Sequence, residues 1–277
     1  MPTKTKVKGM FDSIAGDYDS LNHILSLDVD KIWRKKALKA IVDAPAPVEV
    51  LDLACGTGDF SIAIAKALRK RHLDKLGDRR KPVAEPVEAP VETSDFPATS
   101  TGSVTRKSVT GKSPAGHVTG VDLSEGMLAV MREKVSKAGL TEMISIEEGD
   151  GEHLRFPDNT FDRVTIAFGI RNFEDRQKGL REMLRVLKPG GRLVLLELSR
   201  PENKVIRWFY DLYFLHILPK IGGKVSGDKA AYAYLPASVA AFPGKKQFTA
   251  TMQSAGFRNV THKALSLGIC RMYTGEK

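Results

Sequence analysis

The residues best suited to chemistry sit in a short glycine-rich stretch, Asp52-Leu53-Ala54-Cys55-Gly56-Thr57-Gly58-Asp59, which follows an apolar run and leads straight into a helix-like segment. Two glycines at this spacing let a ligand approach the backbone, and a strand-to-helix turn is where a doubly wound sheet places a nucleotide. A tight turn without a ligand is the plainer reading of the glycines alone. A dinucleotide fingerprint would put Gly or Ala three residues after Gly58. Ser61 stands there, which disfavours a pyrophosphate ligand, and the lack of a following Gly-Lys-Ser/Thr excludes a P-loop. The expected partner is a carboxylate at the end of the second strand that accepts both ribose hydroxyls. Asp122 lies 64 residues after Gly58, but only 24 once the 40 residues from 77 to 116 are set aside, close to the roughly 20 that such a unit needs. Taken alone, Asp122 also reads as a favourable charge before the helix that opens at Ser124. Glu148-Gly149-Asp150-Gly151 ends the next strand at the same sheet edge. There an acid could accept the amino proton of an adenine, or the four residues could simply turn the chain. Asp52, a carboxylate among Val50, Leu51 and Leu53, must find partners, and reads as an orienting residue that holds the loop.

Positioning these groups requires alternating strands and helices. Strand-like runs are Glu49–Cys55, His117–Leu123, Ile144–Glu148, Phe161–Phe168 and Arg192–Leu198. Between them, Asp59–Leu76 and Ser124–Ala138 have helical apolar spacing, the second with Ser124 as N-cap, and Gln177–Leu187 stops at Lys188-Pro189-Gly190-Gly191. This alternation predicts an α/β fold, a Rossmann-like doubly wound, mostly parallel sheet with helices on both faces. A helical arm precedes it, and a helical elaboration spans 200–250. Residues 77–116 combine a Pro-Val-acid tract with a Ser/Thr/Gly/Lys tract and read as a disordered insertion.

Composition narrows the classes. With 277 residues, 42% hydrophobic and 27% charged, the chain fits a soluble globular protein and neither collagen nor a wholly disordered one. No apolar run reaches the roughly 18 residues of a membrane span. Lysines at 4, 6 and 8 are not followed by the apolar stretch of a secretory signal, so a cytoplasmic protein is expected. Cys55 and Cys270 form neither a disulfide framework nor a zinc set, and no metal is expected. Of the net charge of +10, the 77–116 tract carries one unit, leaving a basic fold.

These residues resemble the class I S-adenosylmethionine-dependent methyltransferases, and more closely the ubiquinone/menaquinone biosynthesis C-methyltransferase family. The likeness covers nearly all the chain outside 77–116. It is carried by Tyr18-Asp19-Ser20-Leu21-Asn22-His23-Ile24-Leu25-Ser26 with Trp33-Arg34, by Arg185–Gly191 through Glu197-Leu198-Ser199, by Phe156–Asp162, by Phe168-Gly169-Ile170-Arg171-Asn172, and by Tyr232–Leu235 with Ser238. Leu21 replaces the family's usual Met, Asp30 stands where His is frequent, and Ala167 stands where many relatives have Ser. The resemblance implies a helical arm or lid over 1–45 and a methyltransferase domain over 46–277. It also implies S-adenosylmethionine as methyl donor, with contacts at Thr57, Asp122, Asp150 and Gly151, to which the reading of the glycine turn adds Gly56, Gly58 and the orienting Asp52 as residues of the cofactor site. The implied reaction is C-methylation of a prenylated quinol, demethylmenaquinol to menaquinol or its benzoquinol counterpart.

Methyl transfer from a sulfonium is an in-line displacement, so the enzyme chiefly aligns the reactants in a dry pocket. Ionising a hydroxyl next to the acceptor carbon would supply electron density, which a base or a cation promotes. Arg171, after the fourth strand, is the candidate cation. His23 and Tyr18, on the N-terminal lid, are candidates for base or ring positioning. Their plainer readings are an ion pair, a satisfied helix residue and a core side chain. Residues 205–221 concentrate aromatic and aliphatic side chains with bases nearby, which suits a greasy groove, an ordinary buried helix, or a helix in peripheral contact with the inner face of a membrane. No nucleic-acid partner is expected, because no Asn/Asp-Pro-Pro-aromatic motif and no Pro-Cys nucleophile occur. Rival readings are a methyltransferase acting on RNA or on another small molecule, a binding-only module, and a nicotinamide oxidoreductase.

Overall fold

The computed structural model describes residues 3–16, 18–19, 28–78, 115–213 and 229–277. His23 and nearly all of the 77–116 tract lie outside these residues. Seven strands form one sheet: β1 (Val48–Leu53), β2 (Gly116–Asp122), β3 (Ile144–Glu148), β4 (Phe161–Ala167), β5 (Leu187–Leu198), β6 (Arg258–Leu265) and β7 (Cys270–Glu276). Their spatial order is β3-β2-β1-β4-β5-β7-β6. The first five are parallel; β7 runs antiparallel to β5, and β6 antiparallel to β7. The fold is therefore a Rossmann-like, mostly parallel doubly wound sheet.

The helices are α1 (Lys4–Ile14), α2 (Val29–Ile41), α3 (Asp59–Asp78), α4 (Glu125–Lys137), α5 (Arg176–Val186), α6 (Lys204–Leu212), α7 (Lys229–Ala240) and α8 (Lys245–Ser254). Parallel strands buried on both faces read as continuous apolar runs. Val50 and Leu51 of β1 point to opposite cores. One core joins Trp33 and Ile41 of α2, Phe60, Ile64 and Leu68 of α3, and Leu128 and Met131 of α4. The other joins Leu180 and Met183 of α5 with Phe248 and Met252 of α8. Ser124 caps α4 as its sequence predicts, accepting a hydrogen bond from the Met127 amide at 3.2 Å.

Two features depart from the sequence reading. β5 starts at Leu187, five residues early, because the Pro189-Gly190-Gly191 segment is taken up as an irregularity: Leu187 pairs with Phe161, and the register resumes at Arg192 opposite Arg163. The C-terminal hairpin β6–β7 was not anticipated. β6 is an edge strand, exposed along nearly its whole length, so it lacks the alternating apolar pattern that reveals a strand.

Chain order reverses at β1, which pairs with β2 on one side and β4 on the other. In an open α/β sheet the crevice outside the carboxyl ends of the strands at such a switch point is where ligands bind.

Candidate functional site

A cavity that encloses, with its solvent-open mouth, about 780 Å³ lies at that switch point. Its floor is the carboxyl ends of four strands: Ala54 and Gly56 after β1, Asp122 to Ser124 after β2, Gly149 to Glu152 after β3, and Ala167 to Gly169 after β4. The backbone is unusual there. Ala54 (φ 49°) and Phe168 (φ 63°) hold left-handed conformations although neither is glycine, and such strain collects at functional sites. Gly56 (φ 55°) supplies the same turn without that penalty. Gly58 (φ 83°) is left-handed too and has a second role. A side chain on it would run into Met131 of α4, so this glycine lets the loop pack against the helix.

Asp122 is the hinge of the site. The Gly56 amide donates to Oδ2 and the Ser124 amide to Oδ1, each at 2.9 Å, so one carboxylate ties the glycine loop to the start of α4. Burial pushes its pKa up, and the amides of Ser124, Gly56 and Leu123 oppose that rise. A carboxylate has about four acceptor positions, so each oxygen keeps capacity for a ligand hydroxyl. Asp150 sits on the same cavity and accepts from Lys4 Nζ at 2.7 Å, from the Glu152 amide at 2.9 Å and from His153 Nδ1 at 3.0 Å. Burial raises its pKa, but these donors more than offset that, and the carboxyl lies below its usual range.

The roof comes from the N-terminal arm, through Lys4, Val7, Lys8, Phe11 and Tyr18. Lys4 bridges Asp150 and, at 3.0 Å, Glu152, and Lys8 pairs with Glu148 at 2.5 Å. Asp12 Oδ1 accepts from Ser124 Oγ at 2.5 Å and from the Gly126 amide at 3.1 Å. Phe11 and Tyr18 meet edge to face at 6.0 Å. Asp19 accepts a hydrogen bond from Thr57 and pairs with Lys134 at 2.6 Å, which fixes the neighbouring Tyr18 over the glycine loop.

Of the residues singled out from sequence, Gly56, Asp122, Asp150, Gly151 and Tyr18 thus converge on one cavity. Others do not line it. Asp52 is buried behind the loop, where it accepts from Ser61 Oγ at 2.5 Å, and burial pushes its pKa up to about 7 despite that bond. The Thr57 hydroxyl is turned to Asp19 rather than to the cavity. Arg171 is a correction, since it does not line the cavity and instead makes the ion pair of its plainer reading. Only 7% exposed, it pairs at 2.9 Å with Glu197, which is fully buried, and it also donates to the Phe168 carbonyl and to Ser238 Oγ. A buried arginine needs such partners, and here they bind the turn after β4 to β5 and α7. Its backbone neighbour Asn172 lines the cavity and accepts from Tyr234 Oη at 2.8 Å.

Lys4, Glu152 and Phe173 also border the cavity, and the sequence reading missed them. Lys4 pairs with acids about 150 positions away, so no local pattern could reveal it. Phe173 had a signal, because Gly151 and Gly179 have no room for a side chain beside its ring. Among the described residues no group of three or more His, Cys, Asp or Glu could hold a metal ion.

A sequence model of the ubiE/COQ5 methyltransferase family matches residues 2–277. A ubiquinone/menaquinone biosynthesis C-methyltransferase UbiE of Geobacter sulfurreducens is 42% identical over 272 residues, covering 98% of this chain and 88% of the relative. A demethylmenaquinone methyltransferase of Bacteroides fragilis is 38% identical, covering 98% and 92%. Among solved structures, the [4+2]-cyclase SpnF superposes with a TM-score of 0.64 at 16% identity, covering 100% of this chain and 97% of that one. A SAM-dependent methyltransferase from Aquifex aeolicus superposes with a TM-score of 0.52 at 19% identity, covering 87% and 88%. A cyclase and a methyltransferase share this fold, so the fold alone does not fix the reaction.

Proposed function

The chain belongs to the ubiE/COQ5 methyltransferase family, and we propose that its strand-end cavity binds S-adenosylmethionine and a reduced prenylated quinone whose ring carbon it methylates, converting demethylmenaquinol to menaquinol. The observation that carries this reading is the pair of carboxylates on one cavity at the switch point. Asp122 is pinned by two backbone amides, and Asp150 stands at the end of the next strand.

The residues present suit an adenosyl group. Asp122 offers acceptors for two vicinal hydroxyls, and Asp150 one for an exocyclic amine. Val7, Val121 and Met127 give apolar walls between them. When bound, S-adenosylmethionine supplies a methyl group on a sulfonium, an electrophile open to in-line attack by carbon. Thr57 and Gly58 act from behind the cavity by holding the loop, and Asp52 acts through Ser61. Phe11 and Tyr18 present aromatic surface on which a flat quinol ring or a cation packs well. The N-terminal arm forms the roof of the cavity, and limiting water there would favour alignment of the reactants over hydrolysis. Tyr18 is the one candidate catalytic side chain that borders the cavity among the described residues. Arg171 acts as a positioning residue, since it sets the turn that carries Phe168 and Asn172.

A polyprenyl tail keeps such a quinol in a bilayer, so peripheral contact at the cytoplasmic face of the membrane belongs to the same reading. Among the described residues no helix is long and apolar enough to cross a membrane. The test uses detergent-solubilised acceptors with methyl-labelled S-adenosylmethionine, comparing chemically reduced demethylmenaquinone with its benzoquinol counterpart. Label in the naphthoquinol is the expected result. Label only in the benzoquinol would move the substrate to the ubiquinone branch, and label in neither would refute quinol methylation.

A further inference from the structure

Large apolar side chains are rarely left in water in clusters. Among the described residues, six exposed ones gather on three neighbouring elements: Val205, Trp208, Phe209 and Leu212 of α6, Leu267 of the turn before β7, and Ile32 of α2. The remaining two, Leu73 and Leu76, lie on α3. Positions 205, 208, 209 and 212 follow helical i, i+3, i+4, i+7 spacing, so they form one stripe, while Tyr210 faces inward. Polar contacts join α2 to the Leu267 turn, and the turn and β7 to the segment that leads into α6. Trp33 Nε1 of α2 donates to Ser266 Oγ at 2.9 Å, Ser199 Oγ donates to the Gly268 carbonyl at 2.7 Å, and Arg271 pairs with Glu202 at 3.1 Å.

Leu267 is the telling residue. It is 73% exposed and left-handed, with φ 58°. A branched apolar residue held in that conformation and pointed at water does nothing for folding, and strain of this kind persists where a surface is used. Exposed lysines stand on two of the three elements. On α2 the exposed Lys35, Lys36 and Lys39 stand three, four and seven residues after Ile32, on the same helix face, and Lys204 is exposed at the start of α6. The nearby acids are already paired, Glu202 with Lys245 and Arg271, and Asp211 with Arg200.

We propose that this rim, the α6 stripe together with the Leu267 turn, docks the protein onto a bilayer surface that carries anionic lipid. Aromatic and aliphatic side chains flanked by lysines on α2 and at the start of α6 match the interface, with apolar groups below the headgroups and ammonium groups among the phosphates. Topology puts the rim on the working side of the molecule. Leu198 at the carboxyl end of β5 pairs with Cys270 at the start of β7, so the root of α6 and the Leu267 turn stand at the same sheet edge as the cavity. Resting on the quinol reading above, this placement lets a ring enter the cavity while its tail remains in the membrane.

The test uses the full chain and vesicles of phosphatidylcholine alone or mixed with phosphatidylglycerol. The sequence has two tryptophans, and Trp33 is buried, so Trp208 reports on the rim. The expected result is sedimentation with the mixed vesicles, a blue-shifted Trp208 emission, and weakening at high salt. The double variant Trp208→Ser/Phe209→Ser binds at least about tenfold more weakly. Leu267→Gly binds several-fold more weakly while folding as well as the parent or better, because glycine accepts the left-handed backbone. Equal binding by these variants would overturn the proposal, as would equal binding to both vesicle types. So would a Trp208 shielded from iodide before lipid is added, whether by a second copy or by residues 214–228. None of these outcomes depends on methyl transfer to solubilised quinol, so the two readings fail separately.

Discussion

Asp122 and Asp52 are two carboxylates on neighbouring strands with opposite surroundings. Asp122 receives two backbone amides and faces the cavity, whereas Asp52 is sealed behind the glycine loop with Ser61 as its hydroxyl donor. Burial therefore dominates Asp52, whose folded pKa of about 7 lies well above its ordinary value of 3.8. The sign follows from proton counting. Between these two values the folded state holds the proton more tightly than the unfolded one, so the stabilisation is complete below about pH 4 and is lost as pH rises through 7. Asp52→Asn cannot ionise. Its stability relative to the parent should rise between pH 5 and pH 8, as measured by urea unfolding at both values, and a pH-independent difference would show that Asp52 is ionised throughout. Asp52 was legible because a carboxylate in an apolar run demands a reason, and Asp122 and Asp150 because each ends a strand at the sheet edge of the glycine turn. Arg171 was misread for the converse reason. Its position after β4 was legible, but its partner Glu197 lies on another strand, and which way a long side chain turns is decided by that partner.

At the scale of elements, α1 is held over the cavity by side chains rather than by a large core, for Val7 is its buried residue. Its fastenings are Lys4 to Asp150 and Glu152, Lys8 to Glu148, and Asp12 to the start of α4. The Lys8 pair is exposed and contributes roughly 0–1 kcal/mol, whereas Lys4 reaches the half-buried Asp150 and the buried Glu152, so the arm should open locally at lower cost than the sheet, with Lys4 as its stronger fastening. Lys4→Met combined with Lys8→Met is expected to speed amide exchange in residues 4–14 by several-fold and to leave exchange in β1 and β4 unchanged. Unchanged exchange in α1 would show that apolar contacts hold the arm. The five parallel strands and their helices were legible because burial on both faces writes itself as continuous apolar runs, with Ser124 and the glycine turn as punctuation. β6 was not, because an exposed edge strand carries no such pattern. The early start of β5 was hidden by Pro189 and the two glycines, which read as a stop and are accommodated as an irregularity.

For the whole molecule, the 40-residue tract explains why the spacing of the nucleotide-type unit looks wrong until it is set aside. The structure sharpens its limits, since α3 runs to Asp78 and Gly116 already pairs with Val48 in the sheet. We propose that residues 79–114 are dispensable. Replacing them by a short Gly/Ser link should leave the melting temperature and methyl transfer close to the parent's, and a collapse of either would assign the tract a structural or substrate role. Sheet order, the strained turns at Ala54 and Phe168, and the arm over the cavity all converge on one point, the carboxyl edge between β1 and β4. The account depends most on Asp122 as the ligand of an adenosyl group there. Its most direct test is calorimetric titration of S-adenosylmethionine into the parent and into Asp122→Ala, with the melting temperature confirming that the variant is folded. A hydrogen bond to a charged acceptor contributes about 1.5–3 kcal/mol, so the account predicts a Kd at least about tenfold higher in the variant. An unchanged Kd in a folded Asp122→Ala protein would contradict it.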